Sequence, residues 1–299
     1  MPPPFFSIII PTYNRAAIIS KTIQSILNQS FSDFEILIVD DGGIDNTEEI
    51  VRAIGDSRVI YFKKENAERA VARNFGTLHA KGAYVNFFDS DDLMYQARLE
   101  KIADQIHSAD QPDILFTHYD VININDEIIG GTEIFYNSFS KNLLHNNFLA
   151  CGSVFLKRTI ALDNLFCEER QLITAEDWEL WIRLHVRYQF QELPVSTFAL
   201  VQHKKRSLNT ISLNTVIERE TYLIKLMEEN YLFRQKYSNE LNLFIADRFT
   251  FMALSLAIHN ERIKALSYVA KSFFSSILVL KRRRFWGALK TILWPQRKG

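Results

Sequence analysis

Short apolar runs that end abruptly in polar residues set the rhythm of the first third of the chain. Ser7-Ile8-Ile9-Ile10 stops at Pro11, Ile36-Leu37-Ile38-Val39 stops at Asp40-Asp41-Gly42-Gly43, and Tyr84-Val85-Asn86-Phe87-Phe88 stops at Asp89-Ser90-Asp91-Asp92. Val59-Ile60-Tyr61-Phe62 is a fourth such run. Each is too short for a helix and predicts a strand. Between the runs the apolar positions change to helical spacing, with Ile18, Ile19, Thr22, Ile23, Ile26 and Leu27 on one face. Asp45-Asn46-Thr47-Glu48 has the spacing of a capping box and predicts a second helix start, and a third helix is expected around residues 70–79. Repeated strand–helix units predict an α/β protein whose mostly parallel sheet is flanked by helices on both faces.

Beyond residue 112 the rhythm changes. Ile114-Leu115-Phe116 and Val154-Phe155-Leu156 read as strands, residues 137–147 as loop with a short helix, and a helix from near Glu176 carries Leu180, Trp181 and Leu184 inward. From about Val216 the pattern is helical almost to the end, without a glycine before Gly287. Composition narrows the classes. Lys+Arg and Asp+Glu balance at 35 each, so no global field points to nucleic acid. Cys151 and Cys167 make neither a metal pattern nor a disulfide framework, which favours a reducing compartment. The first six residues lack the basic region and apolar core of a signal peptide, and no run reaches the roughly 18 apolar residues a spanning helix needs. A cytoplasmic protein is expected.

The polar strand ends carry the chemistry, because ligands of open α/β sheets bind beyond the carboxyl ends of the strands. Asp89-Ser90-Asp91 offers carboxylates to a divalent cation such as Mn²⁺ or Mg²⁺, which takes oxygen ligands from one or two side chains plus substrate phosphates. A plain helix cap by Asp91 or Asp92 is the alternative. Asp41 can accept from an N–H on a nucleobase edge, above a glycine turn. Pro11-Thr12-Tyr13-Asn14 contains no glycine, so it is not a P-loop, but it offers backbone amides and an aromatic wall. Asn14 is also placed to cap the helix that follows. Arg73 is placed to face phosphates, whereas Arg69 reads as a solvated basic face. In Thr174-Ala175-Glu176-Asp177-Trp178 a helix cap competes with a general base beside an aromatic platform for a sugar ring.

Five stretches together, Ser7–Arg15 (SIIIPTYNR), Ile36–Thr47 (ILIVDDGGIDNT), Ala72–Gly76 (ARNFG), His79–Asp92 (HAKGAYVNFFDSDD) and Glu176–Arg183 (EDWELWIR), resemble the family-2 glycosyltransferases in order and spacing. Those are inverting enzymes of GT-A fold that use nucleotide-diphosphate sugars. The resemblance covers roughly residues 5–205. It implies a catalytic domain over 1–205, with a nucleotide-binding half (1–112) and an acceptor half (113–205), and a helical C-terminal extension over 206–299. It further implies that Pro11, Thr12, Tyr13, Asn14, Asp41, Arg73, Asp89 and Ser90 bind the nucleotide sugar, with a UDP-sugar favoured. Asp91 and Asp89 would bind metal, Asp177 would be the base, with Glu176 the alternative, and Trp178 would face a glycan or lipid-linked acceptor. His203 falls where members place a phosphate-contacting loop, although Lys204, Lys205 and Arg206 replace the usual small residues. Gly43 stands where Ser is commoner. The runner-up enzyme, a sugar nucleotidyltransferase, would want a glycine-rich loop after the first strand. A non-catalytic nucleotide-binding scaffold is the other alternative, and the intact Asp41, Asp89, Asp91 and Asp177 speak against it.

At the C-terminus, Phe285, Trp286, Leu289, Ile292 and Leu293 form one apolar helical stripe behind Lys281-Arg282-Arg283-Arg284. Such a helix either docks on the body or lies on an anionic membrane through residues 281–299.

Overall fold

The structure, a computed structural model, describes residues 2–132, 139–203 and 211–294. The chain divides into two compact units. The first gathers residues 1–139, 147–168 and 176–204, and the second gathers 140–146, 169–175 and 205–299.

The first unit is built on a nine-stranded sheet. Its N-terminal part comprises β1 (Phe6–Thr12), α1 (Ile19–Leu27), β2 (Phe34–Asp40), α2 (Thr47–Ala53), β3 (Val59–Lys63), α3 (Arg69–His79), β4 (Tyr84–Phe87), β5 (Leu93–Met94) and α4 (Arg98–Ser108). The later part adds β6 (Ile114–Ile122), β7 (Ile128–Gly131), β8 (Val154–Lys157), α6 (Arg158–Asp163), α7 (Glu176–Arg187) and β9 (Phe190–Val201), while α5 (Phe139–His145) runs from one unit into the other. The strand order is β3-β2-β1-β4-β8-β6-β9-β5, with β7 paired to β6. Strands β3, β2, β1 and β4 are parallel, as the strand–helix alternation predicts. Past β4 the sheet is mixed: β8 runs antiparallel to both β4 and β6, β6 and β9 are parallel, and β5 and β7 are antiparallel to their partners. "Mostly parallel" therefore holds for the N-terminal strands alone.

All of β2 is buried, and all of β1 but Pro11, as expected for strands covered on both faces. Ile8, Ile10, Ile36 and Ile38 join Ile19, Ile23 and Ile26 of α1 in the core. Helix α3 lies on the sheet because residue 76 has no side chain: a Cβ on Gly76 would fall 2.4 Å from Ile9 Cγ2 and 3.3 Å from Val39 Cγ2. The register Thr12↔Asp40 and Ile9↔Phe87 brings the carboxyl ends of β1, β2 and β4 to one rim. Inside the unit, the Arg98 guanidinium lies among the rings of Phe88, Phe155 and Phe198 and donates to Thr197 Oγ1 at 3.0 Å and to the Gly152 carbonyl. Burial lowers its pKa to about 9.

Two local expectations are corrected. Helix α2 begins at Thr47, and Asp45 Oδ1 accepts from Thr47 N at 3.1 Å and from the Thr47 hydroxyl instead of closing a capping box on Glu48. Asn14 does not cap α1, whose N-cap residue is Ile18. With φ of 51°, Asn14 turns its Oδ1 to the amides of Ile44 (2.8 Å) and Asp45 (3.3 Å), tying the loop after β1 to the loop after β2.

The second unit is helical: α8 (Leu213–Glu229), α9 (Tyr231–Lys236), α10 (Leu241–Ile258), α11 (Arg262–Ser275) and α12 (Arg283–Leu293). Helix α10 is long and apolar enough to cross a membrane, contrary to the expectation from run length. Half of that span is buried within the protein, and its Asp247 and Arg248 are buried against His145 and Glu220, so it serves as the core helix of this unit. The C-terminal stripe divides in two. Phe285, Ala288 and Ile292 are buried against Ala265, Val269 and Val279, whereas Trp286 and Leu293 are exposed.

Candidate active site

The rim formed by β1, β2 and β4 collects the predicted site residues. Asp41 follows β2, its N–H bonded to the Thr12 carbonyl at 2.8 Å. Its carboxylate is held by the loop after β3. Oδ1 accepts from Lys64 Nζ at 2.5 Å and Ala67 N at 3.0 Å, and Oδ2 accepts from Glu68 N at 2.9 Å. Glu68 has a φ of 79°, which is what turns its amide toward the carboxylate. Before β1 gives way to its loop, the Thr12 hydroxyl is buried with no partner among the described residues. Tyr13, by contrast, is 49 % exposed. Asp40, next to Asp41, is structural: it accepts from Gly43 N at 2.7 Å and Tyr61 Oη at 2.5 Å.

The end of β4 brings three carboxylates together. One oxygen each from Asp89, Asp91 and Asp92 lies within 4.8 Å of the others, a spacing and donor set that suits a hard divalent cation. Their other contacts differ. Asp89 Oδ1 accepts from Arg73 Nη2 at 3.0 Å, and Asp91 Oδ2 lies 2.8 Å from His203 Nε2 and 3.8 Å from Arg15 Nη2. Asp92 is buried and accepts from Val201 N at 3.1 Å. Ser90 is buried, and its carbonyl accepts from the Thr22 hydroxyl of α1, which anchors the turn. His203, expected in a phosphate-contacting loop, lies against the acidic turn; Lys204, Lys205 and Arg206 lie outside the described residues.

Arg73, expected to approach the nucleotide or its phosphates, is engaged with two carboxylates. It is 2 % exposed and spends its guanidinium inside the protein, donating from Nη1 to Glu176 Oε1 at 2.9 Å and from Nη2 to Asp89. Arg69, expected on a solvated face, also reaches Glu176 Oε1, at 3.4 Å. Glu176 is thus a buried counter-ion to two arginines, which leaves it poorly placed to take a proton from substrate. Asp177, the next residue, is partly exposed. Its Oδ1 accepts from Trp178 N at 2.7 Å and Asn147 Nδ2 at 3.1 Å. Burial and the neighbouring Glu176 charge push its carboxyl up to about 7, against the opposing pull of Arg73. Trp178 is only 4 % exposed, so its ring is not the open sugar platform expected of it. The sequence reading also missed Lys64 and Asn147, and read Asp92 only as a possible helix cap. A lysine just past a strand end was visible for the first, but nothing marked Asn147.

These features have counterparts among known proteins. Residues 7–166 match the glycosyl transferase family 2 description, more than half of the chain, and the chain belongs to that family. It is 31 % identical over 233 residues to an uncharacterized glycosyltransferase of Rickettsia felis, covering 73 % of this chain but only 38 % of that protein's length. It is 35 % identical over 184 residues to the Escherichia coli UDP-Glc:alpha-D-GlcNAc-diphosphoundecaprenol beta-1,3-glucosyltransferase WfaP, covering 60 % of this chain and 69 % of WfaP. Among solved structures, S. aureus TarS superposes with a TM-score of 0.69 at 20 % identity, over 96 % of this chain and 54 % of that one. The mannosyltransferase PcManGT from Pyrobaculum calidifontis, solved with GDP-Man and Mn²⁺, gives a TM-score of 0.59 at 19 % identity over 99 % of this chain and 88 % of its own. The fold is of the GT-A type.

Proposed function

We propose that this chain moves a hexosyl unit from a nucleoside-diphosphate sugar to an acceptor hydroxyl, with inversion at the anomeric carbon. The observation that carries this reading is the Arg73 bridge. By joining Asp89 to Glu176, the residue before Asp177, it supports reading the acidic rim and the Asp177 carboxylate as parts of one site. The rim serves the donor: Tyr13 stacks on the base, Asp41 and the buried Thr12 hydroxyl serve its polar edge, and Pro11 and Asn14 shape the loop between them. Asp89, Asp91 and Asp92 would hold Mn²⁺ or Mg²⁺, which when bound stabilises the charge on the leaving diphosphate. Asp177 takes the proton from the incoming hydroxyl, and a carboxyl near 7 suits that work at neutral pH.

A UDP-sugar donor and a lipid-linked or glycan acceptor are supported by the WfaP likeness and by the TarS structure with UDP-GlcNAc. A cytoplasmic setting fits the sparse cysteines. The test is to incubate the purified protein with a panel of UDP, GDP, CDP and dTDP sugars, with and without Mn²⁺, and to follow nucleoside diphosphate release and the product anomer. UDP release that needs the cation and falls about 100-fold or more in Asp91→Asn and Asp177→Asn is expected. Release of pyrophosphate, a retained anomeric configuration, or full activity in Asp177→Asn would overturn it.

A further inference from the structure

The overall charge balance conceals an asymmetry. Residues 262–294 contain Arg262, Lys264, Lys271, Lys281, Arg282, Arg283, Arg284 and Lys290, and no Asp or Glu. With Arg297 and Lys298, ten of the 35 basic residues fall after Glu261, which leaves 25 of them against all 35 acidic residues up to and including it. Charge segregated in this way marks a surface for a polyanionic partner.

The same stretch exposes apolar side chains of a particular kind. Phe274 is 83 % exposed, Ile277 65 %, Trp286 55 %, Leu293 61 % and Trp294 70 %. Single exposed apolar residues are ordinary, but bulky aromatic and aliphatic side chains gathered within one short acid-free segment are not. Along α12 the exposed residues Arg283, Trp286, Lys290 and Leu293 recur at i, i+3, i+7 and i+10, so cations and apolar groups alternate down one helix face. The opposite face, Phe285, Ala288 and Ile292, is already committed to the core of its own unit. Trp286 Nε1 donates to the Leu280 carbonyl at 2.8 Å, which holds the indole against the 277–281 turn that carries Ile277 and Leu278. The helix is therefore docked and still presents a second, amphipathic face.

We propose that this face is a docking surface for an anionic lipid bilayer. Its Trp, Ile and Leu side chains enter the boundary between headgroups and acyl chains, and its cations lie against lipid phosphates. The charge pattern selects this occupant. A second copy of the chain would bring eight cations against eight, and a nucleic acid would leave the apolar side chains unused. The inference does not depend on the sugar-transfer reading, because it concerns residues outside the donor site and is read by binding alone.

The test is co-sedimentation of the full chain with vesicles of phosphatidylcholine alone or with about 30 % phosphatidylserine. Binding stronger by about 10-fold or more on the anionic vesicles is expected, weakened as strongly by 0.5 M salt, with a blue shift of tryptophan emission. Arg283→Glu with Lys290→Glu should remove the preference for phosphatidylserine, and Ile277→Ser with Trp294→Ser should lower binding about 10-fold without changing the thermal midpoint. Equal binding to neutral and anionic vesicles, no binding at all, or a dimer in solution broken by Trp294→Ser would overturn the proposal.

Discussion

Arg73 and Glu176 stand 103 residues apart in sequence and meet side by side, Nη1 to Oε1 at 2.9 Å, with Asp89 held by the other arm of the same guanidinium. Because Glu176 precedes Asp177 directly, this one arginine sets the electrostatics on both sides of the site. Glu176 raises the Asp177 carboxyl and Arg73 lowers it, with burial the largest influence of all. Each of these three effects can be addressed separately.

The first consequence is a pH profile. A base must be ionised, and Asp177 with a carboxyl near 7 is protonated in about half of the molecules at neutral pH. Turnover at saturating substrate should therefore rise as pH increases through about 7 and level off above about 8. The stability effect runs the other way. A carboxyl raised in the folded state binds its proton more tightly there than in the unfolded chain, so its contribution to stability is lost as pH rises from about 4 to about 7. Asp177→Asn keeps an oxygen for Asn147 and the Trp178 amide, and it should be inactive yet melt a few degrees above the parent at pH 8. A variant that is inactive and no more stable at pH 8 than at pH 5, relative to the parent, would contradict this account.

Substitution of Arg73 probes the bridge itself. Arg73→Ala leaves two carboxylates without their shared cation, one of them the buried Glu176, and should cost roughly 3 kcal/mol in denaturant unfolding. Arg73→Gln is the more informative variant, since it retains a donor but removes the charge that lowers the Asp177 carboxyl. The midpoint of its pH–rate profile should move upward relative to the parent, whereas loss of a phosphate contact alone would raise the donor KM and leave the midpoint in place.

The parts of this protein legible from sequence are those whose signal is local. Apolar runs ending in polar residues located β1, β2, β3 and β4, and helical patterning located α1, α3 and α7, because each strand or helix declares its own buried face. Strand β9 was missed: Pro194 interrupts it, and its pairing with β6 slips around His118, so neither composition nor alternation is regular. Strand β5 has only two residues, and β7 is wholly exposed. The site divides in the same way. Asp41, Asp89, Asp91 and Asp177 stood out as acids at strand and helix ends. Arg73 and His203 were also singled out, but not as partners of these acids, and Lys64 and Asn147 were not marked at all, because each pairing is a tertiary contact between segments with no common pattern.

Asp41 offers a test of two roles that coexist in one carboxylate. It is held by Lys64 and by the amides of Ala67 and Glu68, so Asp41→Asn turns an NH₂ group toward a backbone donor and removes the ion pair. If the carboxylate pins this loop as well as serving the base, amide exchange at residues 66–68 should quicken and the donor KM should rise about 10-fold, with kcat changed less. Unchanged exchange with a raised KM would assign Asp41 to the base edge alone.

Gly76 supplies a prediction in which local propensity and tertiary packing disagree in sign. Alanine is the better helix former by about 1 kcal/mol, so by propensity alone Gly76→Ala in the middle of α3 should stabilise the protein. The added Cβ, however, would lie 2.4 Å from Ile9 Cγ2, and Ile9 is itself fully buried in the central strand β1. Either α3 lifts from the sheet or Ile9 leaves its rotamer, and overpacking of this kind costs about 1–3 kcal/mol. Packing should win, with a net loss of up to roughly 2 kcal/mol in denaturant unfolding. Because α3 also carries Arg73, the same shift would move the guanidinium against Glu176 and Asp89, so the variant should lose turnover out of proportion to its stability. The paired substitution Ile9→Val with Gly76→Ala, which trims the opposing side chain, should restore part of both. A single Gly76→Ala variant as stable and as active as the parent would show that α3 is not held to β1 by this close approach.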